Sequence, residues 1–106
     1  MKICAAQTRP VTGDVQQNIR LHQRFIEQAA ASGADLIVFP ELSLTGYEPT
    51  LAQELALNPE DGRLDVFQTL AATHNLTIGV GAPTRLPTGV SISLIIFRPD
   101  QSRYVY

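Results

Sequence analysis

Asp35-Leu-Ile-Val-Phe-Pro-Glu-Leu-Ser-Leu-Thr-Gly-Tyr-Glu-Pro49 begins as a strand and ends as a turn. Its apolar run, Leu36 to Phe39, suits a strand covered on both faces. Pro40 ends that strand, because a proline has no N–H to give to a ladder. Glu41 follows at once, so a carboxylate stands just beyond the carboxyl end of the strand. In open α/β sheets that edge is where ligands bind. Phe39, Leu42 and Leu44 flank the carboxylate and would keep water from it. Gly46 lets the chain turn without a Cβ penalty, and Pro49 closes the segment. On position alone the plainer reading of Glu41 is a polar loop residue, since most strand-end carboxylates perform no chemistry.

The flanking segments supply the partners such a strand needs. Upstream, Lys2 to Thr8 has an apolar centre, Ile3 to Ala6, and reads as a first buried strand. A turn over Arg9 to Gly13 leads to Asp14, a natural N-cap, with Gln17 placed as in a capping box. The helix runs to about Ser32, with Val15, Ile19, His22, Ile26 and Ala29 on one stripe, and Gly33 suits the position just past its end. Strand, helix and strand in succession make a βαβ unit, parallel and right-handed. Downstream, Thr50 with Gln53 suggests a capped short helix to about Leu57. A longer helix ends near His74, its stripe formed by Leu64, Phe67, Leu70 and Ala71. Thr77 to Gly81 reads as a third strand and Ala82 to Gly89 as an irregular loop. In Ser91 to Phe97, Ile92, Leu94 and Ile96 share one strand face. After a turn at Arg98 to Ser102, Arg103 to Tyr106 begins a strand that closes an antiparallel hairpin. The expected fold is α/β, with residues 1–106 forming one domain or part of a larger one, and with no repeat or linker.

Phe-Pro-Glu-Leu-Ser-Leu-Thr-Gly-Tyr, following Gly33-Ala34-Asp35-Leu36-Ile37-Val38, closely resembles the catalytic-glutamate segment of the nitrilase (carbon–nitrogen hydrolase) superfamily. The order of elements matches the first part of that family's pattern across essentially the whole chain. The resemblance implies an α-β-β-α sandwich and makes Glu41 the general base of a Glu-Lys-Cys triad. In the family the lysine follows a tyrosine in the strand that Arg103-Tyr104-Val105-Tyr106 begins, and the cysteine lies further on, so the sequence stops before both. It therefore reads as the N-terminal segment of an incomplete domain, inactive alone, whose complete form would hydrolyse a small amide, N-carbamoyl compound or nitrile without a cofactor.

Hydrolysis at a C–N bond needs a nucleophile, a proton shuttle and a stabiliser of negative charge. Glu41 can be the shuttle. Lys2 is the only lysine and Cys4 the only thiol, and neither falls on a family motif position. Cys4 lies in an apolar strand, where a thiol behaves as a buried inert hydrophobe. Ser43 and Thr45 have no nucleophile-elbow context and read as loop caps. His22 lies on an apolar stripe and His74 at a helix end, so core and helix-end roles are expected. Gly79-Val80-Gly81 does not open a helix and is discounted as a dinucleotide site. Tyr47, an aromatic position in the family, is the candidate substrate contact, and Glu48 could share the pocket mouth. No spacing suggests a metal.

Scattered charges with a net of −2 give no basic patch for nucleic acid, and no apolar run is long enough for a membrane span. A single cysteine fits a reducing cytoplasm. Half a sandwich would leave the stripe of Ile92, Leu94 and Ile96, or its opposite face, uncovered, so a homo-oligomer is expected. Two rival readings stand beside the hydrolase. One is a non-catalytic module binding a small molecule or protein at the same sheet edge. The other is an anion-binding domain at Thr12-Gly13-Asp14, which the Asp14 charge opposes.

Overall fold

The computed structural model of the protein describes residues 1–47 and 49–106, with the side chains of Pro49 and Thr50 also outside the description. The expectations for Glu48 and for a Thr50 cap fall outside the described residues. Strand β1 (Ile3–Ala5), helix α1 (Val15–Ala31) and strand β2 (Leu36–Val38) form the expected βαβ unit, with Cys4 opposite Ile37 in a parallel pair. The α1 start is encoded locally: the Asp14 carboxylate accepts from the Gln17 amide at 3.0 Å. Only half of the capping box forms, because the Gln17 side chain instead accepts from Arg20 at 2.8 Å. At the other end Gly33 takes φ +82°, the left-handed conformation that favours glycine. Lys2 Nζ donates to the Ser32 carbonyl at 2.6 Å, tying the helix end to the first strand.

Helix α2 (Pro49–Leu55), a 3₁₀ turn (Gly62–Leu64) and helix α3 (Asp65–His74) lead to β3 (Thr77–Leu86), β4 (Gly89–Arg98) and β5 (Gln101–Val105). The five strands lie in sequence order. β3 joins β2 in parallel, with Ile37 opposite Ile78, while β3–β4 and β4–β5 are antiparallel. The C-terminal hairpin is thus as expected, but a longer one precedes it. The stretch from Ala82 to Leu86, expected as loop, continues β3 through Pro83. The proline is tolerated because the Pro83 carbonyl accepts from Leu57 N at 2.8 Å and Arg85 N donates to Leu57 O at 2.9 Å. That edge of the backbone faces away from β4, so the missing N–H leaves no gap in the β3–β4 ladder.

Helices α1 and α3 cover one face of the sheet. Ile37, Ile78, Val80, Ile95 and Phe97 are buried there against Ile26, Leu64, Phe67 and Ala71, and the Phe67 and Phe97 rings sit 5.4 Å apart. The register places Ala5, Val38, Gly79, Ile96 and Tyr104 in a row across the opposite face. That face is open: Ile3 is 60% exposed, Ile92 46% and Tyr104 42%. The expectation of strands covered on both faces is therefore corrected for β1 and β2. Ile3 and Ala5 are exposed, and Leu36 and Val38 are half-buried. Their apolar character suits a second layer, and this chain packs only one. What forms is one helix layer on one sheet, half of the α-β-β-α arrangement.

Candidate active site around Glu41

Glu41 stands on a tight turn at the carboxyl end of β2. Phe39 N still bonds to Gly79 O at 2.9 Å, and then the chain folds back on itself. Ser43 N donates to Pro40 O at 3.1 Å, and Gly46 N to Leu42 O at 2.8 Å. Leu42 takes φ +56°, a left-handed conformation that costs a non-glycine residue roughly 1 kcal/mol or more. The turn points its apolar residues inward: Phe39, Leu42 and Leu44 are each 3% exposed or less. Glu41 is exposed. The apolar neighbours thus anchor the turn in the core and do not wrap the carboxylate, contrary to the drying expected of them.

Three partners brace the turn. Gly81 of β3 uses both backbone groups: its N–H donates to Ser43 Oγ at 3.1 Å, and its carbonyl accepts from Leu44 N at 2.9 Å. A Cβ at Gly81 would collide with the Pro40 carbonyl and lie 2.6 Å from Leu42 N. Gly81 is therefore required for close approach, which explains the second glycine of the pair discounted as a fingerprint. From α1, buried Asn18 donates to Leu44 O at 2.9 Å while exchanging two bonds with the Val11 backbone. One helical turn on, His22 is fully buried, with Nε2 2.8 Å from Ser43 Oγ and Nδ1 2.6 Å from Asn18 O. Asn18 escaped sequence reading, although its spacing from Val15 and His22 places it on the same helix face.

Glu41 borders a cleft of about 480 Å³ on the open face of the sheet, walled by Val38, Phe39, Ile92, Leu94 and Tyr106. Tyr106 was not among the predicted site residues. Tyr47 is 74% exposed and does not line this cleft. Cys4 is half-buried, less enclosed than expected, and lines a separate cleft against Phe25 and Gln28 of α1. Glu41 and Cys4 thus serve different clefts. Lys2 is engaged at the α1 terminus. Ser43 and Thr45 are 1% and 2% exposed, so no substrate reaches either hydroxyl, and Thr45 Oγ1 donates to Gly46 O at 3.1 Å. His74 is exposed at the end of α3. A second hollow of about 580 Å³, bordered by Gln68, Asp100 and Arg103, contains none of the predicted site residues. Among the described residues no group of three or more His, Cys, Asp or Glu side chains could hold a metal ion. No described helix is long and apolar enough to cross a membrane.

The carbon-nitrogen hydrolase family model matches residues 2–103. Among curated relatives, glutamine-dependent NAD(+) synthetase of Xylella fastidiosa is 37% identical over 87 residues, 78% of this chain and 15% of that protein. The Acinetobacter baylyi enzyme of the same name is 44% identical over 85 residues, again 15% of its length. The chain thus spans about one seventh of these relatives. Among solved structures, a carbon–nitrogen hydrolase superfamily protein of Xanthomonas campestris superposes with a TM-score of 0.86 at 22% identity, covering 98% of this chain and 38% of that one. An amidase from Nesterenkonia sp. superposes at 0.78 and 22% identity, covering 99% and 42%. These two likenesses concern the fold alone.

Proposed function

The chain belongs to the carbon–nitrogen hydrolase family, and from that premise we propose that Glu41 is the acid/base group of a hydrolase acting on a carbon–nitrogen bond. One observation carries the reading: an exposed carboxylate is held on a braced turn at the carboxyl edge of two parallel strands, over an apolar-walled cleft. A carboxylate so placed can take a proton from a nucleophile and return it to the departing nitrogen. The substrate class is a small amide, N-carbamoyl compound or nitrile. The glutamine-dependent synthetases favour an amide such as the glutamine side chain. In the full reaction a thiolate attacks the amide carbon, the C–N bond breaks as ammonia leaves with the Glu41 proton, and water then hydrolyses the thioester. Tyr47, exposed and outside the walls of the Glu41 cleft, is proposed as a substrate contact only in the completed protein. The lysine and cysteine of a Glu-Lys-Cys triad are not among residues 1–106 at matching positions, and no cofactor is assigned.

The 106-residue chain by itself is therefore expected to release no ammonia at an enzymatic rate, because acid/base help alone is worth roughly 10²–10⁴-fold and there is no activated nucleophile within reach of it. Ammonia release should be assayed on a panel of small amides, carbamoyl compounds and nitriles. The same panel should be run on a version extended to include a downstream Lys and Cys, each with and without Glu41→Gln. Turnover should appear only in the extended version and be nearly abolished by the substitution. Release by the short chain that Glu41→Gln removes would overturn the inactivity. Full activity of the extended Glu41→Gln variant would overturn the role of Glu41. A second reading, a non-catalytic module that binds a small molecule or a protein partner, is favoured by the open apolar sheet face. A cytoplasmic, homo-oligomeric protein is proposed in either case.

A further inference from the structure

The residues that brace the Glu41 turn include a serine and a histidine in hydrogen-bond contact, an arrangement elsewhere associated with nucleophilic attack. Burial excludes that use here, since Ser43 is 1% exposed and His22 0%. The proton inventory gives the pair a different task. The Asn18 carbonyl, 2.6 Å from Nδ1, can only accept, so Nδ1 carries the imidazole proton. Nε2 is then an acceptor, and the Ser43 hydroxyl must donate to it at 2.8 Å. With its proton so directed, Ser43 Oγ presents its lone pairs to the Gly81 N–H at 3.1 Å. Every donor in this chain has one acceptor, and the direction runs from β3 through the turn to α1. The same imidazole packs at a tilt against Phe39, ring centroids 4.1 Å apart. His22 therefore touches both limbs of the turn, Phe39 two residues before Glu41 and Ser43 two residues after it.

We infer that His22 and Ser43 are positioning residues: the hydroxyl, oriented by the imidazole, clasps the turn to the Gly81 amide and so fixes where the Glu41 carboxylate stands. The inference rests on the reading of Glu41 as the acid/base group, and it adds residues that act through Glu41 without touching substrate. Without the clasp the turn keeps the Leu44–Gly81, Ser43–Pro40 and Gly46–Leu42 backbone bonds, but the Glu41–Leu42 segment loses its side-chain tie to β3, a contact that opposes relaxation of Leu42 out of its left-handed conformation. Catalysis by a positioned carboxylate is sensitive to displacements of this kind.

The test is NMR spectroscopy of the 106-residue chain, which needs no turnover. In the wild type, the nitrogen shifts of His22 should show Nδ1 protonated and Nε2 unprotonated. In Ser43→Ala, hydrogen exchange at the Gly81 amide should rise about tenfold, the scale of one net hydrogen bond. The strong intraresidue amide–Hα contact that marks the positive φ of Leu42 should weaken. Amides of Ile26 and Phe67 in the core should be unchanged, and Ser43→Thr, which keeps the hydroxyl, should restore the Gly81 and Leu42 signals. A protonated Nε2 in the wild type overturns the clasp. So does a Ser43→Ala chain in which Gly81 and Leu42 are unaffected, or one in which exchange rises equally throughout the core. A clasp found intact while an extended version shows full activity with Glu41→Gln would leave the hydrogen-bond chain standing and remove only its catalytic purpose.

Discussion

His22 is where local pattern and tertiary chemistry part. Its position on the α1 stripe suggested a core residue, and it is one, with its ring against Phe39 and Phe67. Burial disfavours the charged imidazole more than the Asn18 carbonyl favours it, so its pKa falls from 6.5 to about 4. The consequence has a definite sign. Between those values the unfolded chain binds a proton that the folded chain does not. Stability therefore falls as pH drops from about 6.5 to about 4, and this group causes no further loss below that. The full effect is about 3 kcal/mol. Chemical denaturation at a series of pH values should show this decline, with an NMR titration midpoint for folded His22 near 4. A folded-state midpoint near 6.5 would contradict it.

At the level of elements, β3 carries two glycines with opposite demands. Gly81 meets the backbone of the Glu41 turn, whereas a Cβ at Gly79 would meet only the side-chain ends of Ile96 and Leu94 at 3.3–3.4 Å. Backbone cannot yield as a flexible side chain can. Gly81→Ala is therefore expected to cost about 2–3 kcal/mol or to displace the turn, and Gly79→Ala about 1 kcal/mol or less. Paired urea denaturation curves of the two variants check this, and equal losses would show that the approach at Gly81 is not specially tight. The glycines were legible in the sequence, but their difference was not, because it depends on which segment crosses β3 at that point. The βαβ unit, the Asp14 cap and the Gly33 terminus were legible, since each is decided by residues within a few positions. The β3–β4 hairpin was not, because Pro83 and the following turn residues looked like a loop until Leu57 was seen to satisfy that edge.

For the molecule as a whole, the sheet has one helix layer and one uncovered face. Ile3, Ile92, Tyr104 and Tyr106 expose apolar surface there, a pattern that marks interfaces or aggregation sites. We propose that in the isolated chain a second copy covers this face, since a like apolar surface is always available to it in solution. Sedimentation should show association that strengthens with concentration, and Ile92→Lys should weaken it at least several-fold by placing a charge in the contact. A well-behaved monomer at high concentration would contradict this.

The sequence by itself determined the α/β class, the parallel start, the order of the elements and the place of Glu41 at the end of β2. Apolar periodicity, caps and a proline stop act over a few residues, and their physics is written locally. Tertiary structure alone decided which sheet face is covered, how the Glu41 turn is held and which polar residues hold it. Asn18 reaches Leu44 across 26 positions, His22 reaches Ser43 across 21, and Ser43 meets Gly81 across 38. Bonds of that span depend on register and packing depth. A hydroxyl and an imidazole that look like a loop cap and a core ring in the sequence become one chain of hydrogen bonds only when the folded sheet brings them within 3 Å.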